Sequence, residues 1–256
     1  MSQRLLRAKR KISNAGIPYR VPPDHLLTER ASGVLAVIYL IFNTGYGAPE
    51  GHLAAEALRL ARILVDLLPD EDEARGLLAL VAFQHARRAT RVDGSGDLVP
   101  MEEQDRSAWE RSLIAEGLRQ LRKAASTGRP PGTYRLQAEI ARCHATAPDA
   151  RSTDWAAIVS HYDALLVAQP SPVIALNRAV AVGFCDGPVA GLMELESLSG
   201  APDLASYHLL PATRADFLRR LGRYAEASAA YREAHDLAPT DADRRFLQRR
   251  LQECAP

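Results

Sequence analysis

Two glycines 35 residues apart, Gly187 and Gly222, each stand at a break between two helix-periodic stretches, and two prolines that end such stretches, Pro170 and Pro239, lie 69 residues apart. A spacing near 34 residues is that of a helix pair stacked on copies of itself. One such pair cannot bury its apolar side alone, so the repeat implies an array rather than a single layered core. Leu221-Gly-Arg-Tyr-Ala-Glu-Ala-Ser-Ala-Ala-Tyr-Arg-Glu-Ala-His-Asp-Leu-Ala-Pro239 carries the clearest unit. Gly222 makes its turn, while Tyr224, Ala227, Tyr231 and Ala234 recur at helical spacing as packing positions. Ala215 supplies a small residue where the paired helices touch.

One repeat earlier, Val173 to Val182 precedes the Asp186-Gly187-Pro188 turn, and Trp155, Ile158, Tyr162 and Leu165 form a helix closed by Pro170. These small and large positions resemble the tetratricopeptide pattern. The expected fold class is all-α, a helical array with a tetratricopeptide-like solenoid in the C-terminal half. Ala and Leu are abundant and aromatic residues make up 6% of the chain, which favours helix over strand.

The remaining helices are expected near 28–44, 51–68, a third opened by Asp70 as N-cap, 105–125, 133–146, 153–168, 172–184, 188–198, 204–220, 224–237 and 241–253. Glu71, Asp72 and Glu73 at the start of the third, and Arg87, Arg88 and Arg91 at its end, complement the helix dipole. The last helix carries Arg244, Arg245, Arg249 and Arg250 and reads as a solvated cap. Residues 1–23 are expected to be a basic helix and linker, 24–146 a helical subdomain, and 147–256 the repeats.

The chain has 32 basic and 31 acidic residues for a net charge of +1. Arg4, Arg7, Lys9, Arg10, Lys11 and Arg20 precede the first acid, Asp24, leaving a mildly acidic body. Cys143, Cys185 and Cys254 are odd in number and widely spaced, with no metal-type pairing, which suits a reducing cytoplasm. The longest apolar run, Val34 to Phe42, is about half of what a bilayer span needs. It reads as a buried helix, and no membrane partner is expected.

Asp93-Gly-Ser-Gly-Asp97 begins like a calcium loop. Leu98 and Gln104 then stand where glycine and glutamate are required, so a plain turn is expected. His52 and Glu56 share a helix face without a second histidine and read as solvated. Cys143 and His144 are adjacent and point different ways on a helix, so Cys143 reads as a structural thiol. No catalytic constellation, metal site or cofactor is expected.

Residues 3–12, Gln-Arg-Leu-Leu-Arg-Ala-Lys-Arg-Lys-Ile, followed by Ala15-Gly-Ile-Pro-Tyr-Arg-Val-Pro22, resemble the end of sigma region 4 in extracytoplasmic-function RNA polymerase sigma factors. Val37-Ile-Tyr-Leu-Ile-Phe-Asn-Thr-Gly-Tyr46, Glu56-Ala-Leu-Arg-Leu-Ala-Arg62, Leu68-Pro-Asp70, Gln104-Asp-Arg-Ser-Ala-Trp109 and Ala175-Leu-Asn-Arg-Ala-Val-Ala-Val182 resemble the long tetratricopeptide-type C-terminal extension of one bacterial subgroup. Thr44 stands where that family usually has an acid, and Gln84-His85 where a His-Asp pair is usual. The resemblance implies the extension alone, with sigma region 2 and most of region 4 outside this chain.

Arg4, Arg7, Lys9, Arg10 and Lys11 then correspond to a recognition-helix remnant. They would touch DNA phosphates weakly or form a solvated arm; promoter DNA would be bound through the missing sigma regions. Asn43 and Tyr46 end a buried helix, as a C-terminal cap or as the lining of a groove. Asn177 and Arg178 lie on the first helix of a repeat, where they would face a peptide or protein ligand in the concave groove or pack between repeats. The expected function is a non-catalytic regulatory region that contacts sigma-factor domains and RNA polymerase. The alternative is a free-standing peptide-binding scaffold with no transcription role.

Overall fold

The computed structural model describes residues 7, 10, 11, 14, 15, 27–46 and 52–254. Among the described residues there are eleven α-helices and no strands; one isolated antiparallel bridge joins Val92 to Leu98. The helices are α1 (Leu27–Tyr46), α2 (His52–Leu67), α3 (Asp72–Ala86), α4 (Arg111–Ala125), α5 (Thr133–Thr146), α6 (Trp155–Ala168), α7 (Pro172–Cys185), α8 (Pro188–Glu196), α9 (Leu209–Arg220), α10 (Tyr224–Leu237) and α11 (Asp241–Glu253). None of the described helices is long and apolar enough to cross a membrane.

Arg7, Arg10 and Lys11 are helical and exposed. Arg4 and Lys9, the other members of the expected DNA-contacting set, lie outside the described residues, as does the expected linker.

Local chemistry sets most helix ends. Pro172 and Pro188 open α7 and α8, where the missing N–H would have had no helical partner. Asp154 and Thr240 cap α6 and α11 by accepting from Ala157 N–H and Asp243 N–H. Gly187 and Gly222 have φ of 96° and 73°, a left-handed turn open to glycine and costly for residues with a Cβ. The third helix departs from expectation by one residue. Glu71, not Asp70, is its N-cap, and the Glu71 carboxylate accepts from Glu73 N–H.

All substantial helix packing is between helices one or two places apart along the chain. Helix packing therefore follows the order of the chain. α3 is buried almost all round, between α2, α4 and α5, because its middle, residues 76–83, is apolar without interruption. It lies close to α5: a Cβ on Gly76 would sit 2.7 Å from the Arg135 backbone nitrogen. The Glu73 carboxylate crosses to the start of α5 and accepts from Tyr134 N–H at 2.7 Å and Arg135 N–H at 3.2 Å. Burial raises the Glu73 pKa, and those bonds oppose the rise.

α5 joins two of the four clusters of the core. Ala138, Ala141 and Ala145 belong to the core with α1–α4, while Leu136, Ile140 and Cys143 pack on Ile158 and Leu165 of α6. Further on, Phe217 of α9 lies against Gly183 and Gly191, so close that a Cβ on Gly183 would be 2.2 Å from the ring. Tyr231, Ala227 and Ala234 of α10 are buried against α9 and α11, as their spacing predicts, whereas Tyr224, the fourth expected packing position, is exposed at the start of the helix.

Residues 87–110, between α3 and α4, hold a loop that reaches the far end of the array. Asp93 closes a tight turn by accepting from Ser95 N–H at 2.8 Å and Asp97 N–H at 3.0 Å. Asp97 is then gripped by Arg245 and Arg249, Glu103 by Arg250, and Glu102 by Arg220. The arginines of the last helix therefore do more than solvate an end. The loop ties α11 and α9 to the first helices, with which they share no substantial helix packing.

Candidate binding groove

The array and its loop surround a groove of about 790 Å³. α1 contributes Tyr39, Asn43 and Tyr46, α3 contributes Gln84, and α5 contributes Tyr134, Gln137 and His144. Tyr162 comes from α6 and Asn177 from α7. Among the described residues that line it are five carboxamides, five tyrosines and one arginine, Arg87, with no carboxylate. Two smaller hollows open from it, one past Tyr162, His144 and Asn177, the other past Arg87 and Leu209; Met101 from the loop borders all three.

Three of the four residues expected to bind a partner meet here. Asn43 lies inside α1, which continues to Tyr46. Both face the groove, opposite Asn177. Arg178 does not join them. It is ion-paired at 2.6 Å to Asp163 of α6 and at 2.6 Å to Glu194 of α8, and so packs between neighbouring helices. Consecutive residues on a helix point about 100° apart, so Asn177 and Arg178 cannot share one narrow face.

Tyr46 is the centre of a polar cluster. Its hydroxyl donates to Gln84 Oε1 at 2.8 Å and accepts from Arg87, whose Nε also donates to Gln84 Oε1 at 3.1 Å. The Arg91 guanidinium lies 3.3 Å from the centre of the Tyr46 ring and donates to the Tyr46 carbonyl. Such stacking holds a cation in place without neutralising it. Across the groove, Tyr39 donates to Gln137 at 3.1 Å and meets Tyr134 edge-on.

His144 lies between the main groove and one side hollow. Burial, reinforced by Arg87 and Arg106, pushes its pKa down to about 4, so its ring is neutral at pH 7. Its buried Nδ1 has no hydrogen-bond partner among the described residues. Burial pushes the Tyr162 phenol up to about 12, which keeps it a neutral donor. Arg106 is a structural cation: it donates to the His144 carbonyl at 2.8 Å, the Ala147 carbonyl at 3.1 Å and Thr153 Oγ1 at 3.3 Å, closing the end of α5. Cys143, one residue from His144, faces the opposite core and is buried.

Sequence reasoning missed Gln84, Arg87, Gln137 and His144 as groove residues, and Arg91 as lining the hollow beside it. The arginines read as dipole partners at a helix end. Only the spacing of Arg87 and Arg91, one helical turn apart after an apolar helix, hinted at a shared face.

Residues 30–125 match the model of a family described as "Family of unknown function (DUF6596)". The whole chain is similar to "Uncharacterized protein R00370" of Rhizobium meliloti (strain 1021), with 42% identity over 261 residues. The chain spans 61% of that relative's length.

Proposed function

We propose that this chain is the regulatory, protein-binding region of a sigma-factor-type transcription protein, a tetratricopeptide-like scaffold that holds an extended protein segment in its groove. The observation that carries the binding claim is the lining. Asn43 and Asn177, from helices far apart in sequence, face a common space among Gln84, Gln137 and Gln169 without a carboxylate. A carboxamide offers a donor and an acceptor together, which matches the alternating N–H and C=O of an extended backbone. The tyrosines add apolar faces with polar tips for side chains between those bonds. The transcription role rests on the sigma-like motifs at residues 3–22 and in the helical body.

In this reading the groove takes a segment of the sigma regions or of RNA polymerase, and occupancy tunes promoter activity. A fluorescence titration of the chain with labelled sigma regions 2 and 4 of an extracytoplasmic-function sigma factor tests it. Saturable binding that Asn43→Ala and Asn177→Ala weaken together, with unchanged melting temperature, is the expected result. Binding that ignores both substitutions overturns the groove, and absence of binding to sigma regions and polymerase alike overturns the transcription role.

A further inference from the structure

Arg87 lines the groove and shares with Arg91 the hollow that opens from it past Leu209. Both are partly buried and neither makes an ion pair among the described residues, a state they share with Arg75, Arg135 and the more deeply buried Arg106, none of which lines that hollow. The hydrogen bonds of Arg87 and Arg91 go to neutral acceptors, the Gln84 amide, the Tyr46 hydroxyl and the Tyr46 carbonyl. The two guanidiniums flank one tyrosine and repel each other; burial, opposed by Tyr46 and assisted by Arg87, lowers the Arg91 pKa.

Of the carboxylates that line the adjoining hollows, Glu102 is paired with Arg220 at 3.0 Å, while Asp243, in the hollow of Arg87 and Arg91, accepts from the Thr240 hydroxyl at 2.6 Å and makes no ion pair with either arginine. Partly buried positive charge without a counter-ion is costly, and an anionic ligand would offset that cost. His144, also on this groove, has a buried ring nitrogen still without a partner.

We infer that Arg87 and Arg91 form a carboxylate-binding site, and that the segment held in the groove is an acidic one, seated by a glutamate or aspartate side chain on these two arginines. The inference rests on the groove reading above and adds the chemistry of its occupant. The size of the groove argues for a peptide over a small free anion, because about 790 Å³ of carboxamide and tyrosine lining continues from Arg87. Arginine presents a planar fork that matches a carboxylate. The same charge disfavours the chain's own basic residues 4–11 as the occupant.

A fluorescein-labelled peptide in which glutamates alternate with leucine and serine, amidated at its C-terminus, tests the site by anisotropy. The parent chain binds it, and Arg87→Gln and Arg91→Gln each weaken binding by about tenfold or more. Arg151→Gln, at an exposed position, leaves it unchanged. Should either groove variant fail to fold, the parent alone still gives an answer. Raising salt from about 50 to about 200 mM weakens the glutamate peptide several-fold and spares its glutamine counterpart. A glutamine peptide that binds equally well overturns the carboxylate site and leaves the groove standing. Binding that requires a free C-terminus overturns the choice of a side chain. A parent chain that binds neither peptide overturns the inference, while sigma-region binding in the earlier titration reports separately on the groove.

Discussion

Arg249, in the last helix, holds the carboxylate of Asp97, which lies 152 residues earlier in the loop after α3. Arg245 reaches the same carboxylate at 2.5 Å, and Arg249 also donates to the Leu98 carbonyl at 3.0 Å. Helix packing here runs mainly between neighbours in the chain. This contact instead joins the last helix to the loop after α3, and in doing so sets the loop along the groove.

Removal of that tie should therefore act locally. Asp97→Ala is expected to speed amide hydrogen exchange across residues 92–104 and α11, with exchange in α3 unchanged and a melting temperature lower by only a few degrees. Exchange followed by mass spectrometry checks this. Unchanged exchange in the loop would mean that the turn at Asp93 holds it alone.

The contact of Phe217 with Gly183 has no room for a methyl group, since the added Cβ would lie 2.2 Å from the ring. Gly183→Ala should cost about 1–3 kcal/mol in urea unfolding. Adding Phe217→Leu should return part of that loss, because the two changes share one space.

Arg106 closes the end of α5 with three hydrogen bonds from a buried position. Arg106→Met keeps much of the volume and orphans two carbonyls. A loss of about 2–4 kcal/mol is expected, with peptide binding in the groove weakened because His144 and Tyr162 shift.

The pH dependence follows from His144. Its folded pKa of about 4 lies below the ordinary value near 6.5, so the unfolded chain takes up the proton first as pH falls. The stabilisation is complete above about pH 6.5 and is lost progressively between there and pH 4, on the order of 2–3 kcal/mol. His144→Gln should flatten this part of the stability curve. A curve of unchanged slope between pH 6.5 and 4 would show that His144 does not control it.

The helices of this protein were written locally. Gly187 and Gly222 mark turns because a left-handed backbone there favours glycine, and Pro172 and Pro188 mark helix starts because they lack a donor. α5, α10 and α11 could be bounded to the residue from such signals. Asn43, Tyr46 and Asn177 were legible as candidates from their places at the end of an apolar helix and on the first helix of a repeat, although a cap or a packing role fitted the same positions. What the sequence could not rank was direction. Asn177 and Arg178 are neighbours in the chain, yet one faces the groove and the other joins α6 to α8, a difference fixed only by where Asp163 and Glu194 stand. Arg87 and Arg91 looked like partners of a helix dipole until packing placed them around Tyr46, and the arginines of α11 looked like a solvated end until the loop reached them. Helix propensity and turn chemistry act over a few residues. Charge pairing acts through space, so only the tertiary fold decides which cations are matched and which are left facing a groove.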